Sequence, residues 1–131
     1  GYTMDQIITI ASMIEKEAAN NEERARIASV IYNRLAAGMP LQIDATVQYA
    51  KGNDEKLVES DFQIDSPYNT YLNTGLPAGP ICNPGLASIK AALNPENTQY
   101  YYYALDTETK THRFFADYAS HEQFVSTQNY G

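Results

Sequence analysis

Ile7-Ile8-Thr9-Ile10-Ala11-Ser12-Met13-Ile14-Glu15-Lys16-Glu17-Ala18 is the stretch whose reading decides the fold. Ile7, Ile10, Ala11, Ile14 and Ala18 recur at helical spacing, which predicts an amphipathic helix from about Met4 to Ala19 packed on a core. The helix ends in two carboxylates, Glu15 and Glu17. Two positions apart, they stand about 200° apart around a helix, so only one can point into a given cleft. Both flank the apolar stripe, Glu17 beside Ile10 and Met13, Glu15 beside Met4 and Ile8. Spacing alone does not separate a catalytic acid from a solvated helix edge.

Outward from this helix, Asn20 followed by Glu23 approximates a capping box and opens a second helix through Ile27, Ile31 and Leu35, which Gly38 and Met39-Pro40 end. Leu41 and Ile43 alternate as in a short strand, and strand followed by turn is the favoured reading of residues 41–49; the alternative is a helical turn capped by Asp44. The charged segment from Lys51 to Asp61 should lie on the surface, away from any chemistry. From Asp65 to Pro80 the residues Pro67, Gly75, Pro77, Gly79 and Pro80 predict a long rigid loop. Asn83-Pro84 reads as N-cap and first residue of a helix through Leu86, Ile89 and Leu93. Tyr100 to Leu105 and His112 to Ala116 read as a β-hairpin, followed by a helix from about Tyr118 to Ser126 that turns Phe124 and Val125 inward. The expected fold is α+β, a single domain over 1–131 with helices first and a small sheet, including the hairpin, toward the C-terminus.

With 131 residues, 44% hydrophobic and 19% charged, the chain is long enough to bury one core and is not of disordered composition. A net charge of −7 with scattered Lys and Arg disfavours nucleic acid as a partner. The single Cys82 excludes an intrachain disulfide, and no Cys/His spacing suggests a metal site. No apolar run reaches the roughly 18 to 20 residues of a spanning helix, and no signal peptide is visible before Met4. Eleven Tyr and no Trp supply flat rings with hydroxyl handles, which suit carbohydrate. A half-buried carboxyl facing a tyrosine-bearing loop is the arrangement needed to protonate a sugar leaving group. His112 and His121 read as core or capping residues. Arg34 either complements a helix C-terminus or contacts a substrate carboxylate.

Several blocks carry a resemblance. They are Ala11-Ser12-Met13-Ile14-Glu15-Lys16-Glu17-Ala18, Ile27-Ala28-Ser29-Val30-Ile31-Tyr32-Asn33-Arg34-Leu35 and Gly38-Met39-Pro40-Leu41-Gln42. They continue with Asp65-Ser66-Pro67-Tyr68-Asn69-Thr70-Tyr71, Gly75-Leu76-Pro77-Ala78-Gly79-Pro80-Ile81 and Asn83-Pro84-Gly85-Leu86-Ala87-Ser88-Ile89-Lys90-Ala91-Ala92-Leu93-Asn94-Pro95. In these blocks, in this order, the chain resembles the YceG-like family of endolytic murein transglycosylases. The resemblance implies a catalytic domain with a lysozyme-like helical part, and Glu17 as the acid/base with Glu15 as its solvated neighbour. It implies cleavage of the β-1,4 bond between N-acetylmuramic acid and N-acetylglucosamine, leaving a 1,6-anhydro end, with no cofactor and no metal.

Gln42, Asp44, Tyr68, Asn69, Tyr71 and Asn83 are the substrate-binding candidates by their places in or beside these blocks. Asp44 and Asp65 are also candidates for a stabilising carboxylate. The partners implied are peptidoglycan glycan strands and cell-wall synthesis proteins, at the extracytoplasmic face of the cell membrane. Ala45 and Ala78 stand where the family commonly has Pro. The family's N-terminal membrane helix and LysM-like domain have no counterpart here, so the chain is expected to be the catalytic domain alone, touching a membrane only through an anchor outside this sequence. The competing readings are a non-catalytic peptidoglycan-binding module and a pyridoxal-phosphate aminodeoxychorismate lyase. The second lacks a Gly-rich phosphate loop beside Lys90 or Lys16.

Overall fold

Thr3 opens the first helix. Its hydroxyl accepts from the Gln6 backbone N–H and the Gln6 side chain accepts from Thr3 N–H, a reciprocal cap that starts α1 (Met4–Glu17) in the computed structural model, which describes residues 1–130. Ile10, Met13 and Ile14 of α1 are completely buried against Ile27 and Ile31 of α2 (Arg24–Ala37). A single 3-10 turn, Asn21–Glu23, capped by the Asn20 side chain, leads into α2, and Gly38 ends it at φ 72°, a left-handed conformation suited to glycine.

Residues 41–43 form no strand, and α3 (Asp44–Lys51) follows them, which corrects the favoured sequence reading. The physical reason lies in the partner. Gln42 N–H bonds the Thr70 carbonyl and Ile43 N–H bonds the Thr70 hydroxyl, so this segment leans on a loop and finds no strand to pair with. Thr46 and Val47 then bury one side of a helix beside Ile43.

The loop over 65–81 carries no helix or strand and is internally braced. Asn69, fully buried, donates from its side-chain amide to the carbonyls of Phe62 and Ile64 and accepts from Tyr71 N–H. Beyond it, α4 (Leu86–Leu93) packs across α1 and α2. Its N-cap position is Gly85, two residues later than the Asn83 that the sequence suggested. Glu15 explains the shift, because its Oε1 accepts from Gly85 N–H at 2.9 Å and from the Ser88 hydroxyl at 3.0 Å. The first-turn donors of α4 are satisfied by α1, leaving Asn83 without a capping task.

Strands β1 (Tyr102–Leu105) and β2 (His112–Phe115) pair antiparallel, Tyr103 opposite Phe114 and Leu105 opposite His112. One face of the ribbon, with Tyr103 and Phe114, packs on the helical core. The other, with Tyr102 and Phe115, is covered by α5 (Tyr118–Val125) through Tyr118, His121 and Phe124. The result is the expected α+β domain, five helices and one two-stranded sheet among the described residues.

Candidate active site

Glu17 is the last residue of α1, and α3 brings Asp44 up beside it. Two cavities of about 570 and 560 Å³ open on either side, and both are lined by Glu17 and Asp44. The two carboxylates therefore stand at the neck of one long cleft. One half is polar, with Lys16, Gln48, Tyr49, Asn53 and Asp54. The other half is aromatic, with Tyr71, Tyr101, Tyr102 and Tyr103 beside Arg34 and His112.

The Tyr103 hydroxyl donates to Glu17 Oε1 at 2.8 Å. Burial raises the Glu17 pKa above that of an ordinary carboxyl, and the negative charge of Asp44 raises it further; the Tyr103 hydrogen bond and the His112 charge oppose this without reversing it. The C-terminal end of α1 carries partial negative charge and works in the same direction as burial. The Tyr103 phenol is itself pushed well above its ordinary value, first by burial and then by the Glu17 charge, so it stays a neutral donor.

Tyr103 is held in turn. Its ring meets the His112 ring edge to face at 5.2 Å, and His112 gives both its backbone N–H and its ring Nδ1 to the buried carboxylate of Glu23, at 2.6 and 2.7 Å. Across the neck, the Tyr71 hydroxyl donates to Asp44 Oδ1, which orients that carboxylate. Burial, then the bond to Asp44, raises the Tyr71 phenol far above its usual range.

The sequence candidates divide. Glu17, Asp44, Tyr71 and Gln42 meet at the cleft, Gln42 at a φ of 52° that carries it out of an extended path. Asn69 does not reach it: at 0% exposure, with its amide spent on loop carbonyls, it shapes the loop and offers nothing to a ligand. Tyr68 packs on Tyr49 at 4.7 Å and its hydroxyl lies against Gly79, so it backs the cleft wall without lining it. Asn83 and Asp65 are exposed and line neither half. Glu15 is no solvated neighbour: it caps α4 and pairs with Arg24 at 3.7 Å, and the Gly85 N–H leads the contacts that hold its carboxyl below the ordinary range. The segment after Lys51, set aside as surface, contributes Asn53, Asp54 and Leu57 to the polar half.

Tyr103, Glu23 and the place of His112 between them escaped the sequence reading. The signal was faint. Tyr101 and Tyr103 alternate in a strand, but a run of four tyrosines hides which one turns inward. Among the described residues no group of His, Cys, Asp or Glu is arranged to hold a metal ion, and no helix is long and apolar enough to cross a membrane.

A family model described as the YceG-like family matches residues 1–127. The endolytic murein transglycosylase of Bacillus subtilis (strain 168) is 51% identical over 102 residues, covering 77% of this chain and 28% of that protein. The endolytic murein transglycosylase of Streptococcus pneumoniae (strain D39) is 42% identical over 117 residues, covering 84% of this chain and 21% of that protein. A crystal structure of a yceG-like protein from Listeria monocytogenes superposes with a TM-score of 0.87 at 48% identity, covering 91% of this chain and 39% of that one. The chain thus spans between about a fifth and two-fifths of the length of these relatives.

Proposed function

The chain belongs to the YceG-like family, and from that premise we propose that it is the catalytic part of a lytic transglycosylase acting on peptidoglycan glycan strands, with Glu17 as its one acid and base. The observation that carries this reading is the carboxyl at the neck of a two-sided cleft, half-buried and raised in pKa by that burial, with a neutral phenol on one oxygen. Because Tyr103 occupies Oε1, the transferable proton of Glu17 resides on Oε2. It passes to the glycosidic oxygen between N-acetylmuramic acid and N-acetylglucosamine as the bond from C1 to that oxygen breaks. The Glu17 carboxylate then takes the proton from the C6 hydroxyl of the same muramyl residue as its oxygen bonds to C1. A 1,6-anhydro ring closes, Glu17 regains its proton, and no water is consumed. One carboxyl suffices for both steps.

Asp44, oriented by Tyr71, favours protonation of Glu17 through its charge and adds negative potential where positive charge grows at C1. Gln42 and Tyr71 offer polar contacts to the sugars in the aromatic half. A glycan strand outside the cytoplasmic membrane is the substrate this reading requires, and it places the cleft on the extracytoplasmic face.

Digestion of purified glycan strands in oxygen-18 water, read by mass spectrometry, tests the reaction. Unlabelled 1,6-anhydro ends are expected. Labelled reducing ends as the main product would mean hydrolysis, and Asp44 would become the base that activates water.

A further inference from the structure

Arg34 is 7% exposed and yet has no carboxylate within ion-pair distance among the described residues. Its Nε donates to the Tyr101 carbonyl and its Nη1 to the Pro40 carbonyl, both at 2.7 Å, and its guanidinium lies 4.9 Å from the centre of the Tyr102 ring. All of these partners are neutral. A buried positive charge without a counter-charge is costly, and burial pulls the Arg34 pKa down accordingly, although a guanidinium keeps its proton. The other described arginines each lie within hydrogen-bond or ion-pair reach of a carboxylate: Arg24 with Glu15, Arg26 with Glu96, Arg113 with Asp106.

Arg34 also lines the aromatic half of the cleft, and its two protein hydrogen bonds among the described residues use Nε and Nη1, leaving Nη2 for a ligand. The two backbone bonds fix the plane of the guanidinium, so the free edge is presented in one orientation, as planar recognition of a carboxylate requires. Among the described residues nothing else in this half of the cleft but His112 and His121 could offer a positive charge, and the Asp44 carboxylate at the neck and a net chain charge of −7 both oppose such a group.

We propose that Arg34 is an anion subsite in the aromatic half of the cleft that binds a carboxylate carried by the glycan strand. The inference rests on the transglycosylase reading. Two parts of a strand supply that chemistry, the lactyl carboxylate of a peptide-free muramyl residue and the carboxylates of a peptide stem.

The test is calorimetric binding to the Glu17→Gln chain, which leaves the strands uncut. Four ligands are used: peptide-free strands and peptide-bearing strands, each with carboxylates free or converted to neutral methylamides. Within at least one pair the free carboxylates are expected to bind about tenfold or more tightly. A preference confined to the peptide-free pair assigns the lactyl group; one confined to the peptide-bearing pair assigns the stem. Long-range electrostatics alone give the opposite sign, so equal or tighter binding of the methylamides in both pairs overturns the subsite. Because Arg34 also holds Pro40 and Tyr101, the decisive comparison alters the ligand and leaves Arg34 in place. Arg34→Lys, checked for folding by circular dichroism, should reduce the preference severalfold by losing the fork while keeping the charge; an undiminished preference in a folded Lys variant would also overturn the assignment. Failure of all four strands to bind would overturn the transglycosylase reading itself, an outcome distinct from binding without preference.

Discussion

At Glu17 a single hydrogen bond does two things with separate signatures. The Tyr103 phenol orients the carboxyl and lowers a pKa that burial has raised. Tyr103→Phe should therefore slow cleavage and, at the same time, move the alkaline limb of the pH–rate profile to higher pH, since the unassisted carboxyl holds its proton longer. A limb that moves to lower pH would contradict this role. Glu17→Gln should abolish cleavage and keep the fold. Its stability carries a sign as well: a carboxyl whose folded pKa lies above the unfolded value of about 4.3 contributes fully below that value and loses the contribution as pH rises through the folded one. The parent bears this penalty at pH 7, so the Gln variant should melt at or above the parent temperature there, with the advantage gone by about pH 4. Glu15→Gln is the contrast. It removes the charged acceptor that caps α4, which should cost about 1 to 2 kcal/mol of stability, while the folded protein keeps most of its activity.

The hairpin that carries Tyr103 is only two four-residue strands, a unit of marginal stability without something packed on it. Here both faces are covered, one by the helical core and one by α5, where Phe124 meets Phe115 at 5.5 Å. Phe124→Ala should cost about 2 kcal/mol, less than a fully buried Phe because the residue is half-exposed, and should lower cleavage without touching the cleft. Urea unfolding and an activity assay on the same sample check both. Asn69→Ala should behave as an element-level lesion too, leaving two loop carbonyls unsatisfied at about 2 to 3 kcal/mol, with glycan affinity of the folded fraction unchanged. The periodic elements were legible in the sequence: Ile7 to Ile14 spelled α1, and the Tyr-rich and Phe-rich runs spelled the hairpin. α3 was legible only as the alternative reading, because the segment before it owes its conformation to Thr70, which Ile43 meets across 27 residues, a contact that no local pattern announces. The same holds for α4, whose cap comes from Glu15 across 70 residues and not from its own Asn83.

Across the whole molecule, most shifted carboxyls are held low. Glu15 and Glu23 lie below their ordinary values, as do Asp61, Asp106 and Asp117. For Glu23, burial pushes upward and the His112 and Ala19 contacts outweigh it. Groups of this kind add stability above their unfolded pKa and surrender it as pH falls through the folded one, so melting temperature should drop steadily from about pH 5 to pH 3, with Glu17 alone pulling the other way. The site was half legible at this scale. Glu17, Asp44 and Tyr71 were singled out from the sequence, whereas Tyr103, Glu23 and the unpaired charge of Arg34 exist only as relations between distant segments. That separation has a consequence for how the protein is made. Glu17 and the phenol that governs it are 86 residues apart, and at a synthesis rate of roughly 5 to 20 residues per second the ribosome delivers the second about 4 to 17 s after the first. The hairpin must emerge, and then α5 behind it, before the Glu17 carboxyl is set, so a nascent chain, or one cut short of α5, holds the proposed chemistry in abeyance.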